Sequence, residues 1–152
     1  MEDVLIRGFQ AEDAREMVNL HKKFSHFFEE SELTVEYVTQ CSLRHDFRFF
    51  VAEHDCRIVG YSGVLFYESV GRAEVGPIVI LDGFQNKGVG SRLLKAVINF
   101  LKEKSIHRVI AKVKSNNPLG ARFFEQNGFK KEALFERYTK KGETIVQMVR
   151  FI

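Results

Sequence analysis

Residues 78–94 constrain the fold of this chain more than any other stretch, because they read as a strand, a loop and a helix in direct succession. Residues 78–81 are apolar and mostly β-branched, as in a buried strand. Residues 82–88 contain Gly83 and Gly88, and from Val89 onward apolar residues recur at helical spacing. Glycines between two such segments predict a tight turn that leads directly onto the helix N-terminus.

The start of that helix is predicted to bind an anion. The first turn of a helix has backbone N–H groups without partners, and the helix dipole adds partial positive charge there. Gly88 and Gly90 have no Cβ atom to keep a phosphate from the backbone, and Lys87 and Arg92 add full charges. This arrangement indicates a ligand that carries a pyrophosphate. An ordinary strand-to-helix turn is the simpler alternative, since short glycine motifs recur by chance.

Two nucleotide motifs can be tested against this loop, and neither fits. A P-loop has Lys and Ser or Thr directly after its second glycine, where this chain has Val89 and Gly90. A dinucleotide fingerprint has a third glycine where this chain has Leu93. Nucleotide hydrolysis and dinucleotide binding are therefore not expected.

The spacing that remains is Q-x-x-G-x-G, from Gln85 to Gly90. It resembles the acetyl-CoA loop of the GCN5-related N-acetyltransferase (GNAT) superfamily, whose pattern is [RQ]-x-x-G-x-[GA] between the fourth strand and the third helix. In that superfamily the loop amides hold the CoA pyrophosphate. The resemblance assigns this role to seven consecutive residues: Gln85, Asn86, Lys87, Gly88, Val89, Gly90 and Ser91.

Length and composition are consistent with one compact domain over residues 1–152, which the resemblance implies is an N-acetyltransferase domain. Hydrophobic residues make up 45% of the 152 residues, which is enough for a sizeable core. The net charge of +3 is too small and scattered to indicate nucleic-acid binding. No apolar run approaches the roughly 20 residues that cross a bilayer, and the acidic N-terminus is unlike a signal peptide. A cytoplasmic protein without membrane contact is expected, with Cys41 and Cys56 as buried thiols.

The rest of the chain alternates strands and helices around one predicted sheet. Strands are predicted at residues 4–9, 48–53, 57–66, 72–81, 108–114, 129–138 and 144–151, and helices at 11–24, 34–43, 89–101 and 117–128. The fold class is therefore α/β, a single mixed, mostly antiparallel sheet of about seven strands flanked by four helices. This element order matches that of the GNAT superfamily, which implies a splayed fourth and fifth strand pair.

A strand interruption at Gly76-Pro77 predicts a bulge, since proline donates no hydrogen bond to a ladder. In the superfamily a bulge at this place parts two strands, and the pantetheine arm of CoA lies between them. The resemblance implies that backbone groups of Ile78, Val79 and Ile80 contact that arm. An amide of Ile80 or its neighbour would then stabilise the oxyanion of the attacked thioester. A simple edge-strand interruption is the alternative.

Residues 117–129 resemble the superfamily helix N-x-x-A-x-x-x-Y-x-x-x-G-F. The match places Asn117 at the pantetheine and Arg122 near the CoA phosphates. Phe124 is assigned to the cofactor site as well. It occupies the position where many members have a tyrosine that protonates the departing thiolate. A thiol with a pKa near about 8.5 leaves tolerably without that acid. Tyr138 is the alternative acid if its strand reaches the cleft, and otherwise it is an ordinary half-buried tyrosine.

The acceptor amine must lose a proton before it attacks, because amines with pKa values of about 8 to 10.4 are mostly protonated at pH 7. Glu74 is the candidate base, at the position relative to Gln85 where many superfamily members have a glutamate; a solvated strand glutamate is the alternative. Phe28, Glu29 and Glu30 lie in the connector that walls the acceptor pocket in the superfamily, although charge clusters are usually solvated surface. The histidines show no metal-ligand spacing, so no metal is expected.

The sequence thus predicts an acetyl-CoA-dependent N-acetyltransferase that acts on a primary amine of a peptide, protein or small molecule by direct attack in a ternary complex. Relatives are commonly dimers, so a homodimer is an open expectation. A non-catalytic acyl-CoA-binding regulatory module is the alternative, and the missing tyrosine at Phe124 is the feature that favours it.

Overall fold

The computed structural model describes residues 3–25 and 33–152. A short 3-10 turn, Ala11–Asp13, leads into the first helix, and a second one, Glu68–Val70, joins the third and fourth strands. The strands are β1 Leu5–Gly8, β2 Phe47–His54, β3 Arg57–Tyr67, β4 Arg72–Ile80, β5 Arg108–Lys114, β6 Lys130–Phe135 and β7 Ile145–Phe151. The helices are α1 Ala14–Lys22, α2 Val35–Ser42, α3 Val89–Glu103 and α4 Pro118–Gln126.

The described strands form one seven-stranded sheet in the order β1-β2-β3-β4-β5-β7-β6. Every neighbouring pair is antiparallel except β4 and β5, which are parallel because α3 crosses between them. The predicted fold class, a mixed and mostly antiparallel sheet with four helices, is confirmed.

Helices cover the two faces of this sheet unequally. One face packs against the apolar side of α3 and against Phe124 of α4, in a cluster that includes Val75 and Val109. On the other face α1 and α2 pack on Phe49, Val51, Tyr61 and Val79, and so cover the β2–β4 part of the sheet. The same face over β5 to β7 has no helix of the described residues in these clusters.

Three local expectations need correction. The first helix opens as a 3-10 turn, and its α-helical part begins only at Ala14. The sixth strand ends at Phe135, because Arg137 has a left-handed φ of 52°, so Tyr138 lies in the turn that follows and not in the strand. Cys41 is buried as expected, but Cys56 is exposed in the β2–β3 turn, where its φ is 60°.

Candidate functional site

Strand β4 is paired along one edge and open along part of the other. Its parallel ladder with β5 joins Arg72–Val75 to residues 108–111 and stops there. Residues beyond this point in β5 continue to pair with β7, while Ile78–Ile80 of β4 pair with β3. The two strands therefore part after Val75, as the splayed pair of the predicted fold requires.

A bulge accompanies the parting. Ser62 of β3 faces Ile78, and Val64 faces Val75, so β4 has two residues, Gly76 and Pro77, opposite the single Gly63. A Cβ on Gly63 would lie 2.7 Å from the ring of Phe47, so only glycine fits opposite the bulge. The bulge predicted at Gly76-Pro77 is confirmed.

Backbone alternation decides which groups of β4 face the opening. The amide of Leu81 donates to the carbonyl of Val59 across the β3 edge at 2.8 Å. Since successive residues point their backbone groups to opposite edges, Val79 points to β3, and Ile78 and Ile80 point to the parted side. The Ile80 carbonyl accepts a hydrogen bond from Gln85 Nε2 at 2.9 Å, which ties the loop to this edge.

The loop after β4 turns through three left-handed residues, Gly83, Asn86 and Gly88, whose φ angles are 90°, 59° and 81°. Gly88 is the N-cap of α3 and provides no side-chain acceptor for the first turn. The first helical bond runs from the Arg92 amide to the Gly88 carbonyl at 3.0 Å. The amides of Val89, Gly90 and Ser91 precede it, so they have no intrahelical acceptor and can bind an anion.

The positive charges around the loop differ in position. Lys87 is exposed on the loop itself. Arg92 is directed toward β1, where its guanidinium donates to the carbonyl of Val4 at 2.7 Å. Of the two cations singled out in the sequence, only Lys87 is therefore placed by the structure beside the loop amides.

Helix α4 docks on the first turn of α3. A Cβ on Gly90 would lie 3.1 Å from the ring of Phe123, so a side chain at this position would push Phe123 away from α3. Asn127 Nδ2 donates to Ser91 Oγ at 3.2 Å and to the carbonyl of Phe123 at 2.9 Å. These contacts keep the α3 N-terminus and α4 in one rigid unit.

Within α4, the three residues assigned to the cofactor differ in their surroundings. Asn117 is the N-cap of α4, and its Oδ1 accepts from the Gly120 amide at 3.1 Å. Arg122 is exposed on the helix surface. Phe124 is only 8% exposed and lies in the core against Phe123 and Phe129, with ring centroids 5.3 and 5.1 Å away. The structure thus gives Phe124 a packing position.

Glu74, Lys112 and Tyr138 form a chain of contacts where β4 and β5 part. Lys112 Nζ lies 3.2 Å from Glu74 Oε1 and donates to Tyr138 Oη at 3.0 Å. Lys112 is the first β5 residue after the last one paired with β4. The two catalytic candidates of the sequence are therefore brought together, and a lysine that the sequence did not single out joins them.

The environment keeps Lys112 charged. Burial lowers its pKa, but the hydrogen bond to Tyr138 and the negative charge of Glu74 outweigh burial, so the pKa lies above its usual value. The Nζ atom is an ammonium at neutral pH and has no lone pair, so it acts only as a donor. Tyr138 Oη accepts this bond and keeps its own proton for another acceptor.

The expected acceptor residues Phe28, Glu29 and Glu30 lie outside the described residues. His21 is 1% exposed, and its Nδ1 lies 2.6 Å from Tyr61 Oη in the core beneath α1.

In the part of the chain that the structure describes, no three His, Cys, Asp or Glu side chains come together as a metal site would require. No helix among the described residues has the length and hydrophobicity needed to cross a bilayer.

The sequence missed Lys112 and a shallow groove that runs from Glu74 over β3, β4 and β5. Lys112 and Ile110 are two residues apart in β5 and therefore project from the same side of the sheet, so the sequence pattern could have predicted which way the Lys112 side chain points. Its contact with Glu74 depends on the parallel register between β4 and β5, for which the sequence contains no local signal.

Comparison with known proteins agrees with this geometry. A family model described as the acetyltransferase (GNAT) family matches residues 14–129. An uncharacterized N-acetyltransferase of Methanocaldococcus jannaschii is 27% identical over 103 residues, which cover 67% of this chain and 65% of that protein. The matched region spans between 53% and 65% of the length of three curated relatives, all named uncharacterized N-acetyltransferases.

Solved structures share the fold over nearly the whole chain. Ard1 from Thermoplasma volcanium superposes with a TM-score of 0.86 at 20% identity, covering 99% of this chain and 98% of that one. Ribosomal-protein-alanine N-acetyltransferase from Brucella melitensis gives 0.85 at 18% identity, covering 97% and 99%. A variant of the spermidine N-acetyltransferase SpeG from Vibrio cholerae gives 0.83 at 18% identity, covering 99% and 95%. At these identities the likeness establishes the fold.

Proposed function

The chain belongs to the acetyltransferase (GNAT) family, and from that membership we propose that it transfers the acetyl group of acetyl-CoA to a primary amine. The observation that carries the proposal is the open edge of β4 beside the uncapped N-terminus of α3. One offers backbone partners to an extended arm, and the other offers amides to a pyrophosphate. Both halves of acetyl-CoA thus find partners in adjoining parts of the chain.

The pyrophosphate binds to the amides of residues 85–91, with Lys87 as the nearby cation. Left-handed residues turn successive N–H groups toward one side of such a loop, which makes a concave site for an anion. The pantetheine amides pair with the outward backbone groups of Ile78 and Ile80. Val79 contributes through its buried side chain, which holds β4 against α1 and α2.

The Ile80 amide is the donor for the thioester carbonyl. Its N–H points to the parted side, and strand and bulge hold it in place, so it needs no reorganisation as negative charge develops on oxygen. Removing one such donor in enzymes typically costs about 100- to 1,000-fold in rate. A backbone donor cannot be deleted by side-chain mutation, so its contribution is tested through binding and exchange.

Glu74 takes the proton of the attacking amine, directly or through a water molecule. Its Oε1 is held by Lys112 at 3.2 Å, and the side chain is 37% exposed, so solvent and an acceptor can reach it. The amine nitrogen bonds to the carbonyl carbon, the carbon–sulfur bond breaks, and the amine proton passes to the carboxylate. The products are an amide and CoA.

Tyr138 protonates the departing sulfur and regains a proton from solvent. The Lys112 ammonium donates a hydrogen bond to a lone pair of the Tyr138 oxygen. The O–H of Tyr138 is therefore left to donate to another group. Phe124 has no proton to give. A CoA thiolate also leaves without an acid at neutral pH, so Tyr138 adds to the rate and is not indispensable.

A peptide or protein amine is the acceptor that we favour over a small diffusible amine. The relatives' names span both, with a ribosomal-protein alanine in one and spermidine in another. In this chain, a shallow groove continues from Glu74 along the sheet. An extended acceptor fits such a groove, whereas a short polyamine is a cation and gains nothing from the arginines in its walls.

A non-catalytic acyl-CoA-binding module is the second candidate, favoured by the buried position of Phe124. Release of CoA thiol from acetyl-CoA separates the two, measured with alanyl peptides, lysyl peptides, spermidine and free amino acids. The enzyme releases thiol only with both substrates present. Tight binding of acetyl-CoA without release across the panel would establish the module instead, and failure to bind CoA would exclude both.

A further inference from the structure

A shallow groove of 210 Å³ begins at Glu74 and crosses β3, β4 and β5 on the side of the sheet opposite α3. Its walls include Leu65, Tyr67, Arg72, Arg108 and Ile110. The residues face one another in register, since Leu65 pairs with Glu74 and Glu74 with Ile110 in one row, and Tyr67 with Arg72 and Arg72 with Arg108 in the next. The groove therefore has the Glu74 carboxylate, itself in contact with Lys112, at one end and two arginines at the other.

The two arginines at the basic end are not equivalent. Arg108 is already neutralised, because both of its terminal nitrogens donate to the carboxylate of Glu132. Arg72 lies over the ring of Tyr67, 6.0 Å from its centroid. In residues 3–25 and 33–152, no carboxylate lies within ion-pair distance of Arg72. Arg72 is thus an exposed guanidinium, steadied by a ring and available to an incoming anion.

The spacing between the two ends suits an extended peptide. Arg72 and Glu74 are two residues apart on one strand and project from the same side, about 7 Å apart at 3.3 Å per residue. Leu65 and Ile110 flank Glu74 and provide apolar surface beside it. An acceptor with its amine at Glu74 reaches Arg72 with the side chain of its second residue.

We propose that this groove selects peptide acceptors with an acidic second residue, whose carboxylate pairs with Arg72 while the α-amine lies at Glu74. The inference rests on the proposed function and names its substrate class. Charge complementarity carries it, since an amine meets a carboxylate at one end and a carboxylate meets a guanidinium at the other. A bidentate pair with a planar guanidinium adds geometric selectivity that a lysine would not.

The size of the preference follows from the exposure of Arg72. Partly exposed ion pairs are weak, so an acidic second residue should raise kcat/KM by about two- to fivefold over its amide analogue. Salt screens such a pair, so the ratio should shrink between low ionic strength and 0.5 M salt. The preference should appear in KM and leave kcat nearly unchanged, because the contact exists before and during attack.

The test compares three C-terminally amidated peptides that differ only at the second residue, Ala-Glu, Ala-Gln and Ala-Lys followed by the same neutral sequence. Amidation makes the second side chain the only carboxylate, and an Ala-Gln peptide with a free C-terminus tests whether a terminal carboxylate substitutes for it. The wild-type protein should prefer Ala-Glu. Arg72→Gln should abolish the preference, and Arg72→Glu should invert it toward Ala-Lys.

Lys102→Glu is the matched control, since Lys102 is an exposed cation in the last turn of α3 on the far side of the sheet. It changes the net charge as Arg72→Glu does and should keep the wild-type order of peptides. Equal kcat/KM for the three peptides, or the same order in wild type and Arg72→Glu, would overturn the inference while leaving acetyl transfer established. Absence of transfer to every peptide and amine would overturn the proposed function instead.

Discussion

The two edges of β4 differ although the same nine residues form both. Toward β3 the strand is paired from Arg72 to Ile80, interrupted only by the bulge. Toward β5 it is paired for four residues and then open. The closed edge joins β4 to β1–β3, and the open edge leaves backbone donors and acceptors without a strand partner in the described sheet. The difference teaches that the proposed site consists of backbone hydrogen-bonding groups that the sheet leaves unpaired.

The residues that cause the difference are few. Gly76 and Pro77 add one residue to β4 opposite Gly63, and Pro77 has no N–H to give to either neighbour. The closed edge remains firm because Tyr61 and Val79, paired across it, are 1% and 2% exposed beneath α1. The edge that stabilises the sheet and the edge proposed to contact the ligand are thus opposite sides of one strand.

The largest expected effect comes from a substitution at Gly88, in the loop that follows the open side of β4. Gly88→Val forces a β-branched residue into a left-handed φ and places a side chain among the loop amides, where a Cβ otherwise meets nothing within 4 Å. Loss of two hydrogen bonds to a charged pyrophosphate, about 1.5–3 kcal/mol each, should weaken CoA binding by roughly 100- to 1,000-fold or more. Isothermal titration with CoA measures this.

Gly142→Val is the control for backbone strain. Gly142 also has a left-handed φ, 75°, and an added Cβ there also meets nothing within 4 Å. It lies in the turn between β6 and β7, so CoA affinity should stay near the wild-type value. Equal weakening by both variants would show that strain, and not the loop amides, accounts for the loss.

The next effect is expected at Glu74, where the two edges diverge. Glu74→Gln keeps the shape of the side chain but removes the base, so kcat at pH 7 should fall by about 100-fold. The deficit should shrink as pH rises toward the pKa of the acceptor amine, since free amine then needs no base. A steady-state pH profile checks this, and a deficit that is constant from pH 6 to 10 would remove Glu74 from that role.

A smaller effect is expected at Lys112, which holds Glu74 and Tyr138 in place. Lys112→Met keeps the length of the side chain and removes the charge, and should lower kcat by about tenfold with acetyl-CoA affinity unchanged. Lys112→Arg should restore part of the rate. In the background of Lys112→Met, Tyr138→Phe should cost less than it does alone. Full additivity of the two substitutions would contradict the shared role.

The smallest effect concerns the closed part of the fold and should leave the site untouched. Burial tends to raise the pKa of Asp13, but hydrogen bonds from Arg7 and the Gln10 amide outweigh burial and hold it below its usual value. A lowered folded pKa means that this stabilisation is present above the unfolded pKa, about 3.9, and is lost as pH falls through the folded value.

Asp13→Asn should therefore lower the free energy of unfolding by about 1 to 2 kcal/mol at pH 7 and by progressively less toward pH 3. Denaturant unfolding at several pH values measures it, with the exposed neighbour Glu12→Gln as control. Unchanged CoA affinity in the Asn variant would show that stability and CoA binding depend on different edges of β4. A large loss of affinity would contradict that separation.

The sequence predicted most of the fold because its elements are marked locally. Asn117-Pro118 starts α4, Gly128 ends it, and Gly76-Pro77 marks the bulge, each through backbone chemistry that needs no partner. The element order and the parted strands followed from these marks and from the family resemblance. The end of β6 was missed, since the left-handed φ of Arg137 is one that arginine rarely adopts.

The geometry of the candidate site was predictable only where the backbone forms it, and its ligand contacts remain a proposal. The loop of residues 85–91 and the open residues Ile78 and Ile80 depend on glycines and alternation, which the sequence displays. Lys112, the Arg72 groove and the packing of Gly90 on Phe123 depend on register and on contacts between distant segments, for which no local pattern exists. The proposed roles of these side chains are therefore tested by the variants described above.

Amide hydrogen exchange at β4, with and without CoA, tests the central claim most directly. The account predicts that the Ile78 and Ile80 amides exchange quickly in the free protein and become protected when CoA saturates it. The Val79 and Leu81 amides, bonded toward β3, should be protected in both states. Saturation with CoA that leaves Ile80 exchanging as before would contradict the account, because the open edge would then hold nothing.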